Sequence, residues 1–520
     1  MLTRQKQRSR IQISYHRLRS LSSIYISLPV LIFLGGYLKW YYALPGICVV
    51  GYALYRILSK KNQMISTGKT LSLSGWAMAG LFIAMLAWTQ LGGMNGFLYQ
   101  STDYAARNAI FRDLITHEWP VTYQRGTSAL VYYIGHWLPA ALIGKATNAV
   151  FGSYEAAWLC GRLFLWVWSS LGLTLLALIV FLFIDATDRK KRIITLIVLI
   201  LFSGMDIIGT FLAKKQDLNF GVEKLHLEWW APNKYQFSSI TTCLYWVFNQ
   251  AIIPWMITML VLMDTDCSRY LLYMASCLIC APMPAVGMGI LMAGKAVQLF
   301  FEQRKQKQVS LWLKDTFSFS NILVLLTCIP PLAAYLLCNS MSRDIATGPA
   351  AGITGSPVVL LVKFLLFFAL EIGAVLLLLW PANRKRFMFY IACGSLVLIP
   401  FIRVGFGTDF CMRGSIPALF LVMVYAAEFL IHTDWRKKEK ALPVRHAPNR
   451  RTLALLLAII LIIGAATPVM EIYRGLYHVV TEKSLSIQCD TTYSFENEPD
   501  NETFTAGKYQ DTLFFRTLAR

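Results

Sequence analysis

Apolar runs of about 15–25 residues recur along almost the whole chain, and no other feature constrains its fold so strongly. Each is long enough to cross a hydrocarbon layer about 30 Å thick as a helix. In lipid a segment must satisfy its own backbone hydrogen bonds, so helices are the expected form. Composition agrees: 56% of the 520 residues are hydrophobic and 15% are charged, against about 25% charged in a typical soluble domain. The expected fold class is therefore all-α, a polytopic transmembrane helical bundle.

Hydropathy places thirteen spans near 22–37, 41–58, 73–91, 154–184, 193–211, 242–263, 270–283, 285–301, 319–338, 357–380, 387–402, 417–432 and 452–469. The formal charge of +21 is compatible with nucleic-acid binding in amount but not in placement. Its lysines and arginines sit in short loops between spans, the positive-inside pattern, and nucleic acid is not an expected partner. With a cytosolic N-terminus, the basic groups at Arg4–Arg19, Lys60–Lys69, Arg189–Arg192, Arg304–Lys307, Arg384–Arg386 and Arg436–Arg451 all fall on one side. That parity predicts N-terminus in and C-terminus out. The outer side then carries a long first loop (92–153) with amphipathic helices, a second loop (212–241) and a polar tail. The division is 1–72 for a basic cytosolic tail and N-terminal hairpin, 73–469 for the main bundle, and 470–520 for an extracytoplasmic tail. Cys277 and Cys280 form a CxxC-like pair inside an apolar run, where core packing is the expected role.

The outer loops hold the residues with chemistry. In "TDYAARNAIFRDLITHEWP" a helix from residue 103 puts Asp103 and Arg107 on the side of Ile110 and Leu114, with Asn108 and Arg112 opposite. A cap at Asp103 paired with Arg107 is the structural alternative. Asp113 follows as a second acid in the same stretch. The second loop, "VEKLHLEWWAPNKYQFSS", brings His226, Glu228 and Lys234, with Asn249 and Gln250 just beyond. These five are expected at the outer mouth among aromatic-belt tryptophans. In "RVGFGTDFCMRGSIPALF", Asp409 and Arg413 repeat the D-x-x-x-R spacing, and Arg403 precedes them. Arginine suits phosphate because its planar fork donates two parallel hydrogen bonds. Asp206, Lys295, Lys363, Glu371 and Glu428 lie within spans as candidates for polar contacts between helices.

Asp103, "LVYYIGHWLP", "FGS" and "CGRLF" with Arg162 resemble the start of GT-C class integral-membrane glycosyltransferases. Within that class the style is that of enzymes using polyprenyl-phosphate sugars. The resemblance covers the topology broadly and the first 185 residues in some detail. Two departures stand out: Asp103 is followed by Tyr104 rather than a second acid, and the 22–58 hairpin is additional. The resemblance implies a multi-pass enzyme of the bacterial plasma membrane with its site on the extracytoplasmic face. It implies transfer of a sugar from a polyprenyl-phosphate donor, amid membrane lipids, to an extracytoplasmic acceptor. Asp103 is then the base, supported by Arg107, Asp113 and Asp409. Arg403, Arg413 and Lys234 would bind the lipid phosphate, and His226, Glu228, Asn249 and Gln250 the acceptor or sugar. No cofactor is implied, and a divalent-metal requirement stays open. Two other readings remain open: a transporter or flippase of a lipid-linked saccharide, and a polysaccharide polymerase or ligase using a diphosphate donor.

Overall fold

The computed structural model describes residues 10–59, 69–123, 128–213, 225–231, 235–339, 345–347, 356–404, 409–435, 449–482, 493–496 and 503–520. The described residues are mostly helical, 76% of them. Among the described residues, nine helices are long and apolar enough to cross a membrane by length and composition. Four shorter apolar helices, Gly75–Leu91, Tyr270–Cys280, Phe387–Phe401 and Ile416–Ile431, coincide with the remaining expected segments. Among the described residues strand is confined to small antiparallel pairings: residues 10–14 with 70–74, 128–130 between 122–123 and 505–507, and 345–347 with 402–404.

Ile240–Met263 is the axis of the bundle. Its most apolar window is 94% buried, as a helix apolar on every face must be. Tyr154–Phe183, Pro282–Lys305 and Ile416–Ile431 pack around it. Ser239 caps its start by accepting from the Thr242 amide at 2.9 Å. The helix is irregular at Val247, whose φ of −142° and ψ of 39° are not helical. Near its far end Asp264, fully buried, accepts from the Tyr15 and Tyr273 hydroxyls at 3.0 Å each and pairs with Arg19 and Arg269. A buried carboxylate is tolerable there because donors and opposite charge surround it.

Two other apolar helices are interrupted. The stretch Arg189–Ala213 is broken at residues 202–205, between helices Arg189–Leu201 and Asp206–Ala213. The facing Pro357–Asn383 stretch contains a π-turn at Ala369–Gly373. Such breaks survive at membrane depth only where other groups satisfy the freed backbone. Here the Met205 amide donates to the Leu370 carbonyl at 3.1 Å.

Two expectations need correction. Tyr104–Thr116 is not amphipathic, because Asn108 and Phe111 are buried as well as Arg107, Ile110 and Leu114. Leu138–Phe151 and Tyr154–Phe183 pack against it, and Arg112 Nη1 donates to the Tyr493 carbonyl at 2.9 Å. Nor does a tail begin at residue 470. Helix Ala466–Glu482 runs on through it, and the chain end returns to pair with 128–130.

Candidate functional site

At the end of the bundle that carries the 92–153 loop, five stretches converge on a cavity of about 240 Å³. They are the start of Tyr104–Thr116, the turn Leu227–Trp229, the first turns of Ile240–Met263, the helix Asp409–Gly414 and the helix Ala466–Glu482. Asp103, His226, Glu228, Asp409 and Arg413, distant from one another along the chain, all line it.

The two D-x-x-x-R units have the same design. Arg107 Nη2 donates to Asp103 Oδ2 at 2.9 Å, and Arg413 Nη2 to Asp409 Oδ2 at 3.0 Å. In each, the carboxylate is about half exposed (51% and 52%) while the guanidinium is buried beneath it (9% and 14%). The acids thus face the cavity and the arginines anchor them. Asp103 occupies the position before its helix, yet its φ and ψ are helical and its side chain makes no capping bond. Its oxygens are committed to Arg107 and the cavity, so capping does not explain it. Arg107 stacks over the Tyr104 ring at 5.2 Å.

Arg413 is more heavily engaged than a waiting phosphate ligand would be. Nη1 donates to the Tyr133 hydroxyl at 2.7 Å, tying it to the "LVYYIGHWLP" segment, while Nε is buried with no partner. Burial alone would weaken its charge; Tyr133, Asp409, Tyr132 and Asp103 more than restore it, holding its pKa above the ordinary arginine value. A phosphate entering here competes with Asp409 for Nη2.

On the opposite wall His226 stacks on Trp229 at 4.0 Å and meets Trp246 edge-on at 5.3 Å. Burial, followed by the Arg474 charge, lowers its pKa to about 4 against the pull of Asp103, so it is neutral at pH 7. Glu228 is buried and accepts from the Ser238 hydroxyl at 2.6 Å, Gln236 Nε2 at 2.9 Å and the Ser239 amide at 2.9 Å. Burial first and the charge of Asp206 second push its carboxyl up to about 8, outweighing these donors. Glu228 therefore meets the cavity as a neutral acid able to donate.

Sequence reasoning missed Glu471 and Arg474. Glu471 lines the cavity, accepts from Trp246 Nε1 at 2.8 Å and is chelated by Arg474 Nη1 at 2.8 and 2.9 Å. The E-x-x-R spacing continues the helical period of the last apolar run and was the available signal. Gln236, Ser238 and Thr242 also line the cavity.

Other candidates fall elsewhere. Asp113 does not line the cavity: it is buried, held by Arg112 Nη2 at 2.8 Å and the Tyr123 hydroxyl at 2.9 Å, and its role is structural. Asn249 and Gln250 are not at the mouth. They lie further along Ile240–Met263, a helix buried on every face, where Asn249 Nδ2 and both Gln250 amide atoms lack partners. Arg403 has its backbone in the strand 402–404, opposite Ala346, and its side chain lies outside what the structure describes. Lys234 lies outside the described residues. Among the described residues no group of three or more His, Cys, Asp or Glu side chains is arranged to hold a metal ion.

The cavity can thus accept a proton at an exposed carboxylate, donate from a neutral one, and present aromatic faces beside a guanidinium. Compared with family models, with curated proteins and with solved structures, the chain matches none.

Proposed function

We propose that this protein is a membrane glycosyltransferase that moves a sugar from a polyprenyl-phosphate donor to an extracytoplasmic acceptor, on the outer face of a bacterial plasma membrane. The observation that carries this reading is the meeting of Asp103, Asp409 and Arg413 with His226 and Trp229 around one cavity at the end of an apolar bundle. In this reading the thirteen apolar helices all span, the N-terminus is cytosolic, and the cavity opens outward. A lipid-linked donor arrives laterally, so a site at the membrane boundary suits it.

The acceptor hydroxyl is a weak nucleophile, and Asp103, oriented by Arg107, accepts its proton as the oxygen attacks. Attack from the side opposite the lipid phosphate inverts the anomeric centre. Negative charge grows on the departing phosphate, and Arg413, released from Asp409, stabilises it. Trp229, more than half exposed, offers a face for the apolar side of a sugar ring, and Glu228 donates to a sugar hydroxyl. Asp103→Asn in membranes supplied with lipid-linked sugar tests the reading. Transfer should fall by at least about a hundredfold with folding intact; undiminished transfer removes Asp103 as the base.

One observation favours a second reading. Asp206 and Glu371 are buried beside the helix break at 202–205, and broken helices with buried ionisable groups are typical of transporters. Lipid-linked saccharide flipping driven by a proton gradient, with no new glycosidic bond formed, is the result that would favour it. A polymerase or ligase would use the same cavity but require a diphosphate donor.

A further inference from the structure

Beneath the cavity, in the apolar bundle, two acids from distant helices meet. Asp206 begins the second half of a broken helix, and Glu371 lies in the π-turn facing it. Both are at least 98% buried. The backbone holds them side by side, since the Met205 amide next to Asp206 donates to the Leu370 carbonyl next to Glu371 at 3.1 Å. Asp206 Oδ2 accepts from the Ser203 hydroxyl at 2.9 Å and the Thr467 hydroxyl at 2.7 Å. Glu371 Oε1 accepts from Trp230 Nε1 at 2.6 Å. That leaves Asp206 Oδ1 and Glu371 Oε2 buried with no donor. Among the described residues no Lys, Arg or His forms an ion pair with either acid.

An ionised carboxylate only accepts hydrogen bonds, so the two orphaned oxygens are satisfied when one of the acids carries a proton. Two uncompensated like charges at this spacing in an apolar interior are far too costly to persist. The backbone is shaped to bring them together: a Cβ on Gly204 would overlap Glu371 Oε2, and the unwound 202–205 segment hydrogen-bonds across to Leu370.

The geometry points to a proton-binding site: we propose that Asp206 and Glu371 share one proton, and that this proton is linked to the cavity through Glu228. The link is visible in the chain. The Thr210 hydroxyl donates to the Asp206 and Leu227 carbonyls at 3.0 and 3.2 Å, and Trp230, bonded to Glu371, follows Glu228 by two residues. With its proton the pair carries one negative charge, and without it two. Each change of charge alters how readily Glu228 ionises, so protons at the pair set whether the cavity's neutral acid can donate.

Infrared spectroscopy of the full chain in lipid nanodiscs at pH 7 tests this without any sugar donor, so its outcome is separate from that of sugar transfer. Wild type should show two protonated-carboxyl stretches sensitive to deuterium, one removed by Glu228→Gln. The other should vanish in both Glu371→Gln and Asp206→Asn, because the new amide donates to the remaining carboxylate and replaces the proton. In the double variant Asp206→Asn/Glu371→Gln, where the pair carries no charge, the pH at which the Glu228 stretch disappears should fall by about one unit. If wild type shows no protonated carboxyl beyond that of Glu228, the shared proton does not exist, whether or not the variants fold. A Glu228 midpoint unchanged in the folded double variant overturns the link.

Discussion

Glu228 shows how one residue's surroundings decide its chemistry. A carboxyl ordinarily ionises near 4.5; buried here beside Asp206, it does so at about 8. The folded state thus holds the proton more tightly than the unfolded chain. By linkage, the benefit is complete below about pH 4.5 and is lost as pH rises through about 8. The thermal midpoint of the wild type in detergent should decline across that window. Glu228→Gln, which cannot ionise, should decline less; parallel curves would show that Glu228 does not titrate there. The acids at this site were legible to different degrees. The repeated D-x-x-x-R spacing announced Asp103 and Asp409 because each pairing is local, one helical turn long. The Asp206–Glu371 pairing was invisible because its members lie on separate helices, and only packing brings them together. Asn249 and Gln250 were misplaced because their helix is the central one, buried on every face, and a single sequence does not show which span lies at the centre.

At the scale of elements, the cavity floor depends on two glycines. Pro282–Lys305 passes Asp409–Gly414 so closely that a Cβ on Gly287 would overlap the Gly414 carbonyl oxygen. That neighbour is backbone and cannot rotate aside, so Gly287→Ala must push away the short helix that carries Asp409 and Arg413. Overpacking of this kind costs about 1–3 kcal/mol. Gly289→Ala is the control, since its Cβ would meet only the Met274 methyl at an ordinary 3.7 Å. Gly287→Ala should lower the thermal midpoint and sugar transfer together, while Gly289→Ala leaves both near wild type or gains slightly from helix propensity. Equal behaviour of the two would mean the close approach does not position the site. The helices were readable from hydropathy, since each expected span coincides with an apolar helix. The breaks at 202–205 and 369–373 were not, because no proline marks them and only the facing helix stabilises them.

Over the whole molecule, the chain's last residues act as a clasp on the cavity-bearing end. Residues 505–507 pair with 128–130, and the Val131 amide donates to the Phe504 carbonyl at 3.0 Å. Lys39 Nζ donates to the Thr517 carbonyl at 3.1 Å, and the Arg520 amide to the Tyr37 carbonyl at 3.0 Å. The clasp therefore joins the end of the first helix to the loop that supplies Tyr133, the partner of Arg413. The acidic, polar character of the sequence after 470 concealed this, because few large apolar residues carry the anchoring. Phe514 is the principal one: fully buried, it packs on Tyr335 at 5.3 Å and Phe33 at 6.2 Å. Phe514→Ala removes a large buried ring and should cost about 3–5 kcal/mol. Leu513 beside it is exposed, so Leu513→Ala should cost little. If the clasp holds the cavity in shape, Phe514→Ala should also speed proteolysis between residues 493 and 520 and weaken sugar transfer, whereas Leu513→Ala does neither. Unaltered proteolysis and transfer in Phe514→Ala would mean that the chain end rests on the bundle without holding the site.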